Sequence, residues 1–229
     1  MTVEHPDLLP AAAVTAAMQD YLKAVYRLQD AGPVTTQRIA EELGVTGPSV
    51  TNMVKRLAEI GLLRHAPYHG AELTPSGERI AIEITRHHRL IERFLVERLG
   101  FGWDEVHEEA DRLEHHISEA LEARLDATLG HPEVDPHGDP IPSTEGMVVA
   151  VGATRLADHA AGDAVVVRRV SDRDPAQLRY LRELGLIPGA VVEVMGILPF
   201  DGPLRLRVGG VEQIIGRSLA NAVYVERLG

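Results

Sequence analysis

Residues 33–77 read PVTTQRIAEELGVTGPSVTNMVKRLAEIGLLRHAPYHGAELTPSG, and their punctuation predicts a helix, a tight turn, a second helix and a hairpin. Thr35 or Thr36 can cap a short helix through Leu43, which Gly44 ends. Thr46 can cap the next helix, and Pro48 falls in its first turn, where the missing N–H had no helical partner anyway. Val50, Val54 and Leu57, with Met53 and Ile60, recur on the inward face of that helix. Ser49, Thr51, Asn52, Lys55 and Arg56 take the outward one. After Gly61, LLRHAPYHGAELT (62–74) gives two short strands around a turn. Helix, turn, helix and hairpin in that order are the layout of a winged helix-turn-helix.

The plainer alternative is a three-helix core with an unused hairpin. Against it stands the outward face of the second helix, where small hydroxyls, one amide and two cations suit phosphates and base edges. Asn52 is the candidate for an adenine edge. Thr46, Ser49, Thr51, Lys55 and Arg56 are candidates for phosphates, with Pro48 on the same face. Tyr68 and His69, at the hairpin turn, are placed to meet the nucleic-acid backbone.

Working outward, residues 10–30 predict a helix with Val14, Met18, Tyr21, Leu22, Val25 and Leu28 on one stripe. Asp20 lies among alanines on the opposite side, where another helix could approach closely. Thr74-Pro75 opens a further helix that runs to Gly100, and residues 103–130 predict one long helix ending at Gly130. HPEVDPHGDPIPST (131–144) is a proline-rich connection. Beyond residue 153 the chain becomes short Val/Leu/Ile runs broken by Gly and Pro, with one short helix, PAQLRYLRELG, between them. That pattern implies a small β-barrel. The expected fold is therefore mainly α with a C-terminal small β-barrel. Its divisions are 1–74 for the winged helix, 75–146 for a helical domain and 153–229 for the barrel.

Charge is unevenly spread over this plan. Residues 1–73 carry 6 Lys/Arg against 8 Asp/Glu, residues 74–146 carry 7 against 17, and residues 147–229 carry 10 against 9. The net charge of −11 thus belongs to the middle third, which must bind cations or carry a strongly solvated face, while either end can still meet a polyanion. No cysteine occurs, which excludes disulfides, zinc–thiolate fingers and thiol catalysis. Nothing reads as a signal peptide or as a membrane span of roughly 18 apolar residues, and a cytoplasmic protein is expected.

Seven of the eleven histidines fall between residues 87 and 137, inside the acidic third. On a helix, His107, Asp111, Glu114 and His115 share one face, and His88 and Glu92 form an i, i+4 pair on the helix before it. Carboxylates packed together repel one another, and a divalent cation reverses the sign of that interaction. Mixed imidazole and carboxylate ligands suit borderline divalent metals. The plainer alternative, a solvated face, is kept for Glu108, Glu109, Glu119, Glu122, His87 and His116, which are expected on the surface, and His131 and His137 are expected as structural loop residues. A metallohydrolase using this cluster is the alternative in another class. The chain has no HExxH, no phosphate-binding glycine loop and no nucleophile motif, and a metal site directly behind a DNA reader points to sensing.

At this point the order of motifs resembles the diphtheria toxin repressor family of iron- and manganese-dependent transcription regulators. The resemblance runs through MQDYLKAVYRL, RIAEELGVTGPSVTNMVKRLAEIGLL, LTPSGERIA, HHRLIERFL, VHEEADRLEHHIS and GHPEVDPHGDPIP, and so covers nearly the whole chain. It implies a homodimer that binds a double-stranded operator and represses metal-uptake genes when the metal is plentiful, with an SH3-like third domain. It further implies a primary site of Asp20, Asp111, Glu114 and His115 and an ancillary site of His88, Glu92 and His107. Asp174 and Gln177 of the third domain stand at matching spacing to complete the ancillary site. The iron-responsive branch generally places methionine and cysteine where this chain has Asp20 and Asp111. Two hard oxygens there favour Mn²⁺, with Fe²⁺ second. The manganese branch usually has an acidic residue where Lys23 stands, so two separate ions are expected rather than a bridged pair. The third domain is left with three possible roles: ligand donor, clamp on the proline-rich connection, or protein-interaction module.

Overall fold

The computed structural model describes residues 14–29, 32–66, 70–149 and 152–228. It divides into two compact units, residues 1–86 and 87–229.

In the first unit, α1 (Ala16–Leu28) starts at Thr15, whose hydroxyl accepts from the Met18 N–H. It buries Met18, Tyr21, Leu22, Val25 and Leu28, the stripe expected from its spacing. Helix α2 (Thr36–Leu43) is capped by Thr35, and Gly44 closes it in a left-handed conformation that costs glycine nothing. Helix α3 (Gly47–Glu59) follows with Thr46 at its N-cap position. Strands β1 (Leu63–Ala66) and β2 (Gly70–Leu73) pair antiparallel, with Leu63 opposite Leu73. Val34 bonds Ala71 in both directions at 2.8 Å, so β2 has a short partner on its other edge too. A Cβ on Gly70 would lie 2.7 Å from the Val34 carbonyl oxygen, so only glycine permits this approach. Ile39, Val50, Val54 and Leu57 join the α1 stripe, Leu62, Leu63 and Leu73 in one core. This is a winged helix-turn-helix.

Helix α4 (Pro75–Leu99) carries the chain into the second unit. There α5 (Val106–Leu113) and α6 (Glu119–Leu129) pack with it around Ile91, Leu95, Val106, Ala110 and Leu125. The single helix expected over 103–130 is in fact broken. Ser118 is extended (φ −90, ψ 158) and caps α6 by accepting from the Leu121 N–H, so the α-helical ladder restarts there.

Strands β3 (Thr154–Arg155), β4 (Ala164–Val170), β5 (Val191–Ile197), β6 (Leu204–Val208), β7 (Val211–Ile215) and β8 (Val223–Arg227) form one antiparallel sheet, in the order β3-β8-β4-β5-β6-β7. Irregular registers at Val167/Arg169 and Val194/Gly196 mark the bulges that curl such a sheet into an SH3-like, barrel-like shape. Helix α7 (Pro175–Glu183) matches the expected short helix, and α8 (Arg217–Asn221) is an additional one. The sheet's core runs from Leu156 through Val165, Val167, Leu178, Leu181, Val192 and Leu206 to Val225, and Trp103 from the helical segment is buried in it.

The proline-rich connection lies along β4. The Val170 N–H donates to the His137 carbonyl at 2.9 Å, and a Cβ on Gly138 would sit 2.0 Å from the Arg168 carbonyl oxygen. Arg169 bonds Asp139 at 3.2 Å. These contacts join the third domain to the proline-rich connection.

Candidate metal centre and nucleic-acid face

One turn of α4 places His88 and Glu92 on the same side, and one turn of α5 does the same for His107 and Asp111. Glu114 follows at the C-cap of α5, its amide still bonded to the Ala110 carbonyl. All five meet in the second unit. His88 Nε2 lies 3.0 Å from Glu92 Oε1 and 3.1 Å from His107 Nδ1, and Glu92 Oε1 lies 3.1 Å from His107 Nδ1. On the other side of the same ring, His88 Nδ1 is 2.6 Å from Glu114 Oε2 and 3.3 Å from Asp111 Oδ1. His115 Nε2 stands 3.5 Å from Glu114 Oε1. Two ligand groups therefore adjoin, His88/Glu92/His107 and His88/Asp111/Glu114. Glu92 and Glu114 are buried, which concentrates the field at this point. Asp20 sits on α1, in the first unit.

A third group was not expected from the sequence: Glu92, His137 and Asp172. His137 is fully buried, its Nε2–H donating to the Trp103 carbonyl at 2.7 Å. Its Nδ1 faces Glu92 Oε2 at 3.7 Å, beyond hydrogen-bond reach, and neither atom has a hydrogen-bond partner among the described residues. Asp172 completes the group, and its Oδ2 also lies 3.7 Å from His107 Nδ1. Metal–ligand bonds of about 2.0–2.2 Å set ligand atoms roughly 3–4 Å apart, so this spacing fits a cation and does not fit a direct hydrogen bond. Two buried, unsatisfied polar atoms facing each other need an explanation of this kind.

The electrostatics agree with that reading. Burial alone would raise the Glu92 carboxyl, but His88, His107 and His137 around it outweigh burial and hold it well below the usual carboxylate range. Burial lowers His137, yet Glu92 and Asp135 more than compensate and push it up to about 9. Asp135 is pushed up to about 8 by burial and by the neighbouring Glu92 and Asp139 charges. Its Oδ1 accepts from the His137 and Asp139 amides, which shapes the turn that delivers the His137 ring.

Asp174 joins none of these groups. Asp174 is the N-cap of α7, accepting from the Ala176 and Gln177 amides, and the Gln177 side chain donates back to it at 3.2 Å. Asp172, two residues earlier, is the third-domain carboxylate that reaches the cluster. The Asp-Pro step at 174–175 is itself a helix-start signal that commits Asp174 to capping. His87 and Glu122 also depart from expectation: His87 is buried and bonds Glu122 at 3.0 Å, whereas Glu108, His116 and Glu119 are exposed. His131 is exposed beside Asp126. His137 could have been suspected from one signal, a histidine fixed between two prolines and a glycine inside the acidic third.

On the first unit, Thr46, Pro48, Ser49, Asn52, Lys55 and Arg56 are exposed along α3, with Thr51 half-buried. The Thr46 and Ser49 hydroxyls bond each other at 2.9 Å, and Thr51 donates to the Gly47 carbonyl. Tyr68 and His69 lie outside the described residues. The start of α3 has no acidic side chain and no side-chain capping bond, which suits the positive end of its helix dipole to a phosphate.

A winged-helix reader and a buried carboxylate–imidazole cluster in one chain define a class, the metal-dependent DNA-binding regulators. Comparison with known proteins makes this specific. Residues 13–71 match the iron dependent repressor N-terminal DNA binding domain, residues 74–143 the iron dependent repressor metal binding and dimerisation domain, and residues 154–227 the FeoA domain. The iron-dependent repressor IdeR of Mycobacterium tuberculosis is 37% identical over 221 residues, covering 91% of this chain and 96% of its own. The diphtheria toxin repressor of Corynebacterium diphtheriae is 32% identical over 219 residues, with the same coverage. Among solved structures, a manganese-dependent transcriptional repressor in complex with manganese is 40% identical with a TM-score of 0.86, over 92% of this chain and 100% of its own. ScaR with bound Zn²⁺ is 34% identical with a TM-score of 0.78, over 92% of this chain and 99% of its own. The chain belongs to the family of IdeR and the diphtheria toxin repressor, which are metal-dependent transcriptional repressors. That family is one of DNA-binding repressors rather than enzymes, so the hydrolase alternative is set aside. Among the described residues no helix is long and apolar enough to cross a membrane.

Proposed function

We propose that this chain is a cytoplasmic, homodimeric repressor of metal-uptake genes whose co-repressor is Mn²⁺, with Fe²⁺ as the second choice. The observation that carries the metal assignment is the donor set: carboxylates and imidazoles with no sulfur, around two buried unsatisfied atoms, Glu92 Oε2 and His137 Nδ1. Hard oxygen donors favour Mn²⁺ over softer ions. One seat comprises Asp111, Glu114 and His115, to which the sequence resemblance adds Asp20. The other comprises His88, Glu92 and His107, with His137 and Asp172 taking the place first given to Asp174 and Gln177. A bound cation would neutralise the mutual repulsion of these acids.

The residues then have distinct tasks. Asp20 is carried by the DNA-reading unit, so its engagement makes the arrangement of that unit depend on metal. Exposed Leu99, Phe101, Leu113 and Leu121 on the helical segment supply apolar surface for the dimer. Two recognition helices then have to stand about 34 Å apart to enter successive major grooves. Asn52 reads an adenine edge; Thr46, Ser49, Thr51, Lys55 and Arg56 hold phosphates, with Pro48 fixing the start of the helix.

The test is a DNA-binding titration of the purified protein, metal by metal, on promoter fragments. Retention that appears with Mn²⁺ and is reversed by chelator is expected. Equal retention in chelator would overturn the proposal. Within that assay Asn52→Ala should cost about 1–3 kcal/mol and relax preference at one base pair. Lys55→Ala should weaken all sequences alike and lower the salt slope by about 1.

A further inference from the structure

Glu114 and His115 stand where the helical ladder fails. In an unbroken helix the Glu114 carbonyl would accept from the amide of Ser118, but Ser118 is extended and begins α6. The vacated carbonyl is taken by a side chain from α4: His87 Nδ1–H donates to it at 3.1 Å. The opposite nitrogen, Nε2, lies 3.0 Å from Glu122 Oε2 on the first turn of α6. The residue is 4% exposed, and its contact with the Glu114 carbonyl is buried. One imidazole thus spans the break, holding the end of α5 by its main chain and the start of α6 by a carboxylate. Its chain neighbour His88 meets the Glu114 side chain at 2.6 Å.

We infer that His87 is a positioning residue for the Asp111/Glu114/His115 seat: by occupying the broken helix's carbonyl it fixes where the Glu114 carboxylate and the His115 ring point, and it couples that seat to α6. It touches no ion itself. The inference rests on the metal-site reading proposed above and adds a determinant to one of its two seats. Residues 103–130 have the spacing of one continuous helix; at the break Ser118 caps α6, and His87 from α4 is the side chain that bridges its two sides.

The experiment counts bound Mn²⁺ by the loss of the free-ion EPR signal on the full-length protein. His137→Ala serves as the background in which the Glu114 seat is read alone. In wild type two ions per chain are expected. His87→Leu should weaken the Glu114 seat at least tenfold while leaving the Glu92/His137/Asp172 seat within about twofold. His87→Gln, whose amide can still donate to the Glu114 carbonyl, should recover part of the loss. A merely structural histidine would weaken both seats together. Wild-type affinity at the Glu114 seat in His87→Leu, or an equal loss at both, overturns the inference. If His87→Leu does not fold, Glu122→Ala removes only the α6 anchor; the same seat should then lose affinity severalfold, and no loss there is equally fatal. A wild-type chain that takes up no divalent ion overturns the functional reading itself, which is a different result from two seats that ignore His87.

Discussion

Asp20→Ala should abolish the dependence of operator binding on Mn²⁺ while leaving the chain folded and still able to bind one ion. Asp20 is half-buried on α1, opposite the stripe of Met18, Leu22 and Val25 that holds the winged helix together, so its removal leaves that core unaltered. What it removes, on the proposed reading, is the ligand that the DNA-reading unit contributes to the first seat. Coupling between an effector and a second ligand is typically worth 1–3 kcal/mol, or about 5–150-fold in affinity. In wild type, Mn²⁺ should tighten DNA by a factor in that range, and DNA should tighten Mn²⁺ by the same factor. In Asp20→Ala both factors should fall to near one. Fluorescence anisotropy with labelled operator, run with Mn²⁺ and with chelator, gives the first factor. Calorimetry of Mn²⁺ with and without DNA gives the second. The Glu92 seat uses no residue of the first unit and should fill normally, which separates uncoupling from general damage. Unchanged metal-dependent retention in the variant would remove Asp20 from the mechanism.

Local rules were enough for most of the winged helix. Thr35, Gly44, Thr46 and Pro48 announce their helix ends through backbone chemistry that needs no tertiary partner. The α4 and α5 spacings likewise pair His88 with Glu92 and His107 with Asp111, because a shared face follows from 3.6 residues per turn. The break at 114–118 was not legible, since Glu114, His115 and Ile117 continue the helical period and the competing interaction comes from His87, some thirty residues earlier in the chain. His137 and Asp172 were missed for a related reason. Their convergence on Glu92 depends on how the proline-rich connection lies along β4, through the Val170 amide and the close approach at Gly138. Asp174 was named because its spacing matches what the family resemblance implies, although its place before Pro175 already gave it a capping role.

Glu92→Gln carries the other large effect, because this one carboxylate faces three imidazoles with its two oxygens: His88 and His107 at Oε1 and His137 at Oε2. Gln keeps the shape and loses the charge. Loss of a group that merely supports a metal ligand typically costs about 10–100-fold in metal affinity, so loss of this carboxylate ligand should cost at least about 100-fold. The second ion should therefore disappear from the Mn²⁺ count while the Asp111/Glu114/His115 seat stays within a few-fold. The same variant has a pH signature in chelator. In wild type His137 is raised from its ordinary 6.5 to about 9, so its interaction with Glu92 stabilises the fold fully below pH 6.5 and is lost as pH rises through 9. The stability lost in Glu92→Gln should accordingly be greatest at pH 6 and shrink toward pH 9, read as the difference in Tm between variant and wild type. Asp135 acts in the same direction. Its raised carboxyl makes wild type lose stability as pH climbs toward 8, and removing the Glu92 charge relieves part of that loss. A Tm difference that is flat with pH, together with an unchanged ion count, would mean that Glu92 neither faces a charged His137 nor holds a metal. The second seat would then have to be built elsewhere.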